Sequence, residues 1–255
     1  MAKRSRRRTR RSTGAAVVVA VAAAASLAVV VAVAVPLAGA ISEGAPDEPR
    51  PIAVPGLPVD PAIESADDGH ADDAWVERVS ADTGIPARAL RAYAAADLAL
   101  SDEQPECGIV WNTLAGIGSV ESRHGSYGGA TLEADGWVTP RIVGPALDGD
   151  GFAEIGDTDG GEWDGDTEWD RAVGPMQFIP ETWRRWGADG NGDERRDPNH
   201  IDDAALAAAR YLCASGPMTE AESWRDAIFS YNPLTRYVDD VAETATEYAR
   251  LAERE

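Results

Sequence analysis

Apolar positions first form an unbroken run, then give way to Pro-rich and acid-rich sequence, then return at helical spacing. The run is Ala15–Val35, 21 residues with Ser26 as the only polar member. At about 1.5 Å per residue a helix of that length spans about 31 Å, close to the roughly 30 Å hydrocarbon core of a bilayer. Residues 41–73 show no sustained period and are rich in Pro, Asp, Glu and Gly, the pattern of a solvated tether. From Asp73 onward the helical spacing returns and predicts helices over 73–82 and 86–100, with Pro86 suited to a first helical position. Val110, Leu114 and Ile117 recur at i, i+4 and i+7, predicting a helix over 110–124. Residues 125–171 hold many Gly and Asp and few apolar side chains, and no regular element is predicted there. A short helix is predicted to begin at Pro180. Another, capped by Asp197-Pro198, would bury Ile201, Ala205, Ala208 and Leu212. Two more carry the stripes Trp224, Ala227, Ile228, Tyr231 and Val238, Val241, Ala242, Ala245, Tyr248. The fold class expected is all-α, or α+β at most.

Seven basic residues and no acid lie within the first fourteen, immediately before the apolar run. The positive-inside rule then places the N-terminus in the cytoplasm and everything after the run outside. The organisation predicted is a basic tail over 1–14, a transmembrane anchor or signal segment over 15–37, a disordered linker over 38–72 and one domain over 73–255. Ala38-Gly39-Ala40 offers a signal-peptidase site as the alternative to a retained anchor, giving a secreted rather than a single-pass membrane protein. The formal net charge of −21 hides an asymmetry: without the seven basic residues, 16 basic face 44 acidic side chains, or −28. So acidic a body repels phosphate, so nucleic acid is excluded as a partner. Cys107 and Cys213 are too far apart for a Cys-x-x-Cys motif. In an exported body they would form a disulfide; in a reducing compartment, two buried thiols.

The candidate chemistry sits on the third helix. Glu121 is the next position, i+11, on the stripe of Val110, Leu114 and Ile117. A carboxyl there points toward the core or a cleft, where desolvation raises its pKa toward that of a general acid. The alternative is a Glu on a frayed last turn, facing water. Gly116 and Gly118, inside the same helix, suggest close approach of another backbone or a ligand. Trp137, Phe152, Trp163 and Trp169 would either wall a cleft or pin the acidic loop locally. Residues 189–197 read DGNGDERRD, with oxygen donors at positions 1, 3, 5 and 9 of a calcium loop. Asp189, Asn191, Asp193 and Asp197 are the side-chain candidates, and Arg195 would offer its carbonyl. Glu194 stands where such loops carry Gly and His200 where they carry Glu, so Asp202 or Asp203 would have to close the site. An acidic, Gly-rich turn without metal is the other reading.

The ordered segments GIGSVESRHG, GPMQFIPETW, DGNGDERRDP, ALAAARYLC and SYN, with Tyr237-Val238 beyond, resemble the membrane-bound lytic murein transglycosylases of the B type, in their high-GC Gram-positive form. The resemblance spans roughly residues 75–247. It implies a lysozyme-like, goose-type domain that cleaves the bond between N-acetylmuramic acid and N-acetylglucosamine without water, leaving a 1,6-anhydromuramoyl end. Glu121 matches the family's single catalytic acid/base. Gln177 and Phe178 of the Met-Gln-Phe motif, Tyr211, Tyr231-Asn232 and Tyr237 match substrate-contacting positions, and Ser122 follows the catalytic Glu and would orient it. The resemblance also implies a structural calcium in the 189–197 loop, no cofactor for catalysis and peptidoglycan glycan strands as partner; attachment to the membrane is expected from the apolar run, and a monomer is expected. Two further readings remain open. One is a hydrolytic muramidase, for which Asp166, Glu168 and Asp170 are the possible second carboxylates. The other is a wall-binding module without catalysis.

Overall fold

A computed structural model describes residues 62–66 and 70–253. The basic tail and the apolar run expected to reach the membrane lie outside the described residues. Among the described residues no helix is long and apolar enough to cross a bilayer.

Among the described residues seven α-helices carry the fold: α1 (Asp73–Thr83), α2 (Ala87–Glu103), α3 (Trp111–Ser122), α4 (Pro180–Trp186), α5 (Ile201–Cys213), α6 (Ala221–Tyr231) and α7 (Thr235–Ala252). The helix α3 is central. Its residues from Trp111 to Gly118 are all buried, so a single apolar stripe becomes a helix enclosed on every side. It packs against α7 and α2, and α2 packs in turn on α5. Val110 offers α3 no side-chain cap. Asp97 of α2 supplies it instead, accepting from the Trp111 N–H at 2.7 Å. At the other end Arg123 and His124 both take the left-handed conformation, and the Arg123 and His124 N–H groups bond back to Ser119 and Gly118. The helix therefore stops two residues earlier than its apolar spacing predicts.

The paired glycines admit what the sequence anticipates. A Cβ on Gly116 would lie 3.0 Å from the Val241 carbonyl oxygen, so α7 runs against α3 backbone to backbone. A Cβ on Gly118 would collide with the Tyr93 hydroxyl of α2. Cys107, after α2, and Cys213, at the end of α5, are joined as a disulfide.

The expectation of no regular element over 125–171 is corrected. Two antiparallel pairs form: β1 (Thr131–Leu132) with β2 (Val138–Thr139), and β3 (Val143–Ala146) with β4 (Arg171–Val173). The strands are two to four residues long, too short to show alternation. Between β3 and β4 carboxylates do the work of a ladder. Asp157 accepts from the N–H groups of Asp159 and Gly160, Asp159 from Gly161 and Trp163, Asp164 from Asp166 and Arg171, and Asp166 from Glu168 and Trp169. An Asp- and Gly-rich sequence orders itself this way without apolar periodicity, because each short side chain satisfies the backbone two to four residues on, and Asp164 also reaches seven residues on to Arg171. Phe152 and Trp163 pack against the main core and Trp137 stands edge-on to His200 at 5.0 Å, so these rings pin the loop.

The Asp197-Pro198 cap is also corrected. Helix α5 begins at Ile201, with His200 as its cap residue and no side-chain bond. Asp197 instead closes a turn before the helix, accepting from the Asn199 N–H at 2.9 Å while its carbonyl accepts from His200. Ile201, Ala205, Ala208 and Leu212 are nevertheless buried, as their spacing predicts.

Candidate active site

Glu121 sits in the last turn of α3 with only 4% of its surface exposed. The solvent-facing alternative is thereby excluded. The Tyr237 hydroxyl, from the first turn of α7, donates to Glu121 Oε1 at 2.7 Å. Burial pushes the Glu121 carboxyl up to about 8, and the Tyr237 bond opposes that rise. At neutral pH the group is therefore a neutral acid with Oε1 occupied as an acceptor, which leaves Oε2 to carry the proton.

The loop Gly174–Gln177 faces this turn and is held from several sides. Val173 and Phe178 exchange backbone hydrogen bonds at its base, at 2.8 and 3.0 Å. Ser122 Oγ donates to the Pro175 carbonyl at 2.6 Å and accepts from the Gly125 N–H at 2.7 Å, so Ser122 joins the end of α3 to the loop. Tyr231, from the end of α6, donates to the Met176 carbonyl at 2.7 Å. Gly174 takes a positive φ where a Cβ would collide with the Pro198 carbonyl, so this position requires glycine. Gln177 also has a positive φ, 50°, and donates through Nε2 to the Gly174 carbonyl at 2.9 Å. A side chain other than glycine in that conformation is strained, and such strain concentrates at functional sites.

Aromatic rings continue outward from this centre. Phe178 meets Tyr231 at 5.8 Å and Trp183 at 5.3 Å; Tyr211 meets Tyr231 at 5.5 Å and Trp186 at 5.8 Å. Tyr211 is half-buried, and its hydroxyl donates to the Ser230 carbonyl at 2.6 Å. Asn232 is fully enclosed, yet neither its amide oxygen nor its amide nitrogen has a hydrogen-bond partner. Glu121, Ser122, Gln177, Tyr231 and Tyr237 are thus linked through direct bonds to one turn and one loop. Phe178 and Tyr211 flank them through ring contacts.

Three features escape sequence reasoning. Trp186 extends the aromatic row beyond Tyr211, and nothing in its spacing separates it from a packing residue. His124 lies buried beside the site and is bonded to Tyr93 and Tyr248. Asp157, Asp159 and Asp170 bring carboxylate oxygens within 4.8 Å of one another, joining two residues of one turn to a third well along the chain.

Of the carboxylates weighed as partners for a hydrolytic Glu121, Asp166 and Asp170 are engaged within the acidic loop. Both Asp170 oxygens accept from Thr158, through its N–H at 2.8 Å and its hydroxyl at 2.7 Å. Asp166 accepts from two backbone N–H groups and from Arg171 Nε at 2.9 Å. Glu168 is exposed.

In the 189–197 loop all side-chain donors are hard oxygens, which suits calcium. Asp189 accepts from the N–H groups of Gly192, Asp193 and Glu194, Asn191 from Asp193, and Asp193 from Arg195. Asp203 links the two ends of the loop, accepting from the Gly190 N–H at 2.8 Å and the Asp197 N–H at 2.9 Å. Asp202 is paired with Arg88. His200 has its Nε2 against the Asp135 carbonyl and the Asn191 amide, and so is not placed as a ligand. Of the two residues considered for closing the site, Asp203 is therefore the better placed.

Residues 157–251 match the family described as "Transglycosylase SLT domain". The matched segment takes in Gln177, the 189–197 loop, Tyr231, Asn232 and Tyr237, and begins after Glu121. No curated protein matches the chain. Among solved structures it is similar to the Escherichia coli lytic transglycosylase Slt35 in complex with bulgecin A, at 14% identity and a TM-score of 0.41, over 70% of this chain and 78% of that one. It is also similar to SltB3 from Pseudomonas aeruginosa in complex with NAG-anhNAM-pentapeptide, at 22% identity and a TM-score of 0.29, over 58% of this chain and 42% of that one.

Proposed function

We propose that this chain is a peptidoglycan lytic transglycosylase of the membrane-bound B type, held at the outer face of the membrane by its N-terminal helix, with Glu121 as sole acid/base. The observation that carries the reading is the Glu121 carboxyl: buried, so that desolvation favours its protonated form, and bonded by Tyr237 on one oxygen only. Such a group can give one proton and take one back. In the first half-reaction Glu121 Oε2–H protonates the glycosidic oxygen between N-acetylmuramic acid and N-acetylglucosamine, and the C1–O bond breaks. In the second, the muramoyl C6 hydroxyl oxygen attacks C1 and Glu121 accepts its proton, restoring the acid. No water enters, and the product carries a 1,6-anhydro bridge. Tyr237 stabilises the carboxylate that exists between the two steps, since a hydrogen bond to a charged acceptor is roughly twice as strong as one to a neutral acceptor.

Gln177, Phe178, Tyr211, Tyr231 and Asn232 belong to the glycan path in this reading. Ser122 positions the Gly174–Gln177 loop rather than the Glu121 carboxyl. A structural calcium held by Asp189, Asn191, Asp193, the Arg195 carbonyl and Asp197 would stiffen the loop before α5 without entering the chemistry. The match of residues 157–251 to the SLT domain family supports the substrate class.

The test is digestion of purified sacculi by the full chain in detergent, with products resolved by mass. Wild type is expected to release anhydro-muropeptides, and Glu121→Gln to release none. Products with reducing ends, heavier by one water, would establish hydrolysis instead. Sacculi left intact while still binding the protein would establish a wall-binding module.

A further inference from the structure

Beside Glu121 runs a second buried polar chain that the proposed chemistry leaves unused. His124 is buried two residues past the end of α3. Its Nδ1 lies 3.1 Å from the Tyr93 hydroxyl of α2, and its Nε2 lies 3.0 Å from the Tyr248 hydroxyl of α7. The Tyr248 hydroxyl in turn donates to Ser119 Oγ of α3 at 3.2 Å. Hydroxyl protons rotate, so these bonds can run in either direction, and each direction leaves one ring nitrogen protonated. With the Tyr248 proton directed at Ser119, Nε2 must carry the ring hydrogen and donate to Tyr248. Nδ1 is then the acceptor, and Tyr93 donates to it. Only a neutral imidazole meets that pattern, and burial lowers the His124 pKa to about 4, which keeps it neutral in the working range.

The chain lies where it can set the alignment of the catalytic pair. Glu121 stands on α3 and Tyr237 on α7, and their bond is one fastening between these helices. Asn112 of α3 makes a second, donating to the Ala245 carbonyl at 3.0 Å, and Tyr248, three turns along α7, makes a third through His124 and Ser119. Between these, Gly116 lets the α7 backbone close on α3. Gly118, one turn before Glu121, leaves space for the Tyr93 hydroxyl, so α2 is fastened at the same level. His124 takes a positive φ of 58°, a strained conformation for a residue that only fills space.

We infer that His124 is a positioning residue for Glu121: its neutral ring ties α2 and α7 to the last turn of α3 and thereby fixes the geometry of the Glu121–Tyr237 bond. This rests on the reading of Glu121 as acid/base. The test uses the full chain in detergent and three substitutions, His124→Gln, His124→Ala and Tyr248→Phe. Two readouts are taken: the Glu121 titration by carbon-13 NMR, which needs no substrate, and kcat and KM on glycan strands. Tyr248→Phe removes one half-buried hydroxyl and should stay folded. It is expected to move the Glu121 titration midpoint and to lower kcat about five- to tenfold with little change in KM, as loss of about one hydrogen bond's alignment implies. His124→Gln should retain more kcat than His124→Ala, because its amide can replace one of the two bonds. Folded variants with lower thermal stability, but with an unmoved Glu121 midpoint and unchanged kcat, would overturn the inference. A wild type that makes no anhydro ends would instead remove the lytic reading, while the NMR midpoint would still decide the role of His124.

Discussion

Tyr237 and Glu121 lie 116 residues apart in the chain and meet through one hydrogen bond of 2.7 Å, hydroxyl to Oε1. The bond joins two opposed effects. Burial favours the neutral acid that must donate a proton, while the tyrosine favours the carboxylate that must take one back. Removing the hydroxyl should shift the balance toward the neutral form. Tyr237→Phe is therefore expected to raise the Glu121 pKa and to lower turnover by about 10–100-fold, the range for a lost hydrogen bond to a charged group. The pH–rate profile of the variant checks this: its alkaline limb should move upward as the plateau falls.

With burial holding the Glu121 carboxyl at about 8, the wild-type profile follows directly. The first step needs the protonated form, so activity should hold through neutral pH and fall as pH rises through about 8. Rates of anhydro-end release across pH 5–10 would measure it; a decline already complete by about pH 6 would contradict a desolvated acid.

A packing prediction follows from Gly118. Any Cβ there meets the Tyr93 ring and hydroxyl, inside a core where α2 and α3 are already in contact. Gly118→Ala is expected to destabilise the fold by about 1–3 kcal/mol despite the higher helix propensity of alanine. Urea unfolding of Gly118→Ala and of the double variant with Tyr93→Phe checks the cause. Deleting the tyrosine hydroxyl should restore part of the loss if that contact is responsible.

How much of this was legible beforehand depends on where the ordering forces lie. The helix α3 and Glu121 could be read because burial along one helix face leaves a local period, and the i+11 step from Val110 lands on the carboxyl. The stripes of α5, α6 and α7 were legible for the same reason. The two β-pairs were not, since strands of two to four residues carry no alternation and the carboxylate-to-N–H bonds between them leave no apolar trace. The start of α5 is not legible because Asp197 and Pro198 are favoured both in helix caps and in turns, and the bonds of Asp197 to Asn199 and Asp203 select the turn. His124 stayed hidden because its partners, Tyr93 and Tyr248, are 31 and 124 residues away. Even so, the position of His124 within SRHG and the glycine at 118 are traces of that contact.

Calcium should act on stability rather than on the chemical step. With Asp189, Asn191, Asp193 and Asp197 as donors, adding calcium at about 100 times its dissociation constant is expected to stabilise the fold by about 2.7 kcal/mol. A chelator should reverse the shift. Asp189→Ala should abolish it, whereas Asp159→Ala, in the separate carboxylate group with Asp157 and Asp170, should leave it in place. Thermal melts with calcium, with chelator and in both variants distinguish the two loops.

Stability against pH carries two opposed signatures, one from each buried group near the site. Glu121 is held at about 8 in the fold against 4.5 for an exposed glutamate. The folded state thus keeps a proton that the unfolded chain gives up between those values. Its contribution is fully present below 4.5 and is lost as pH rises to about 8. Glu121→Gln, neutral at every pH, should therefore match wild type in acid and become the more stable protein across that window. His124 works the other way, being held at about 4 against 6.5. The unfolded chain binds the proton first as pH falls, so the stability from the neutral ring is complete above 6.5 and declines toward pH 4. A shift of that size corresponds to roughly 3 kcal/mol at about 1.4 kcal/mol per pKa unit. Wild type should consequently be most stable in the weakly acidic range where the two windows overlap. Glu121→Gln should gain stability up to about pH 6.5 and stay level into alkaline pH, and His124→Gln should be level below about 4.5 and fall from there to about 8. Melting temperatures of the three proteins from pH 3.5 to 9 would separate the two contributions. A Glu121→Gln curve parallel to wild type throughout would mean that this carboxyl titrates normally in the fold.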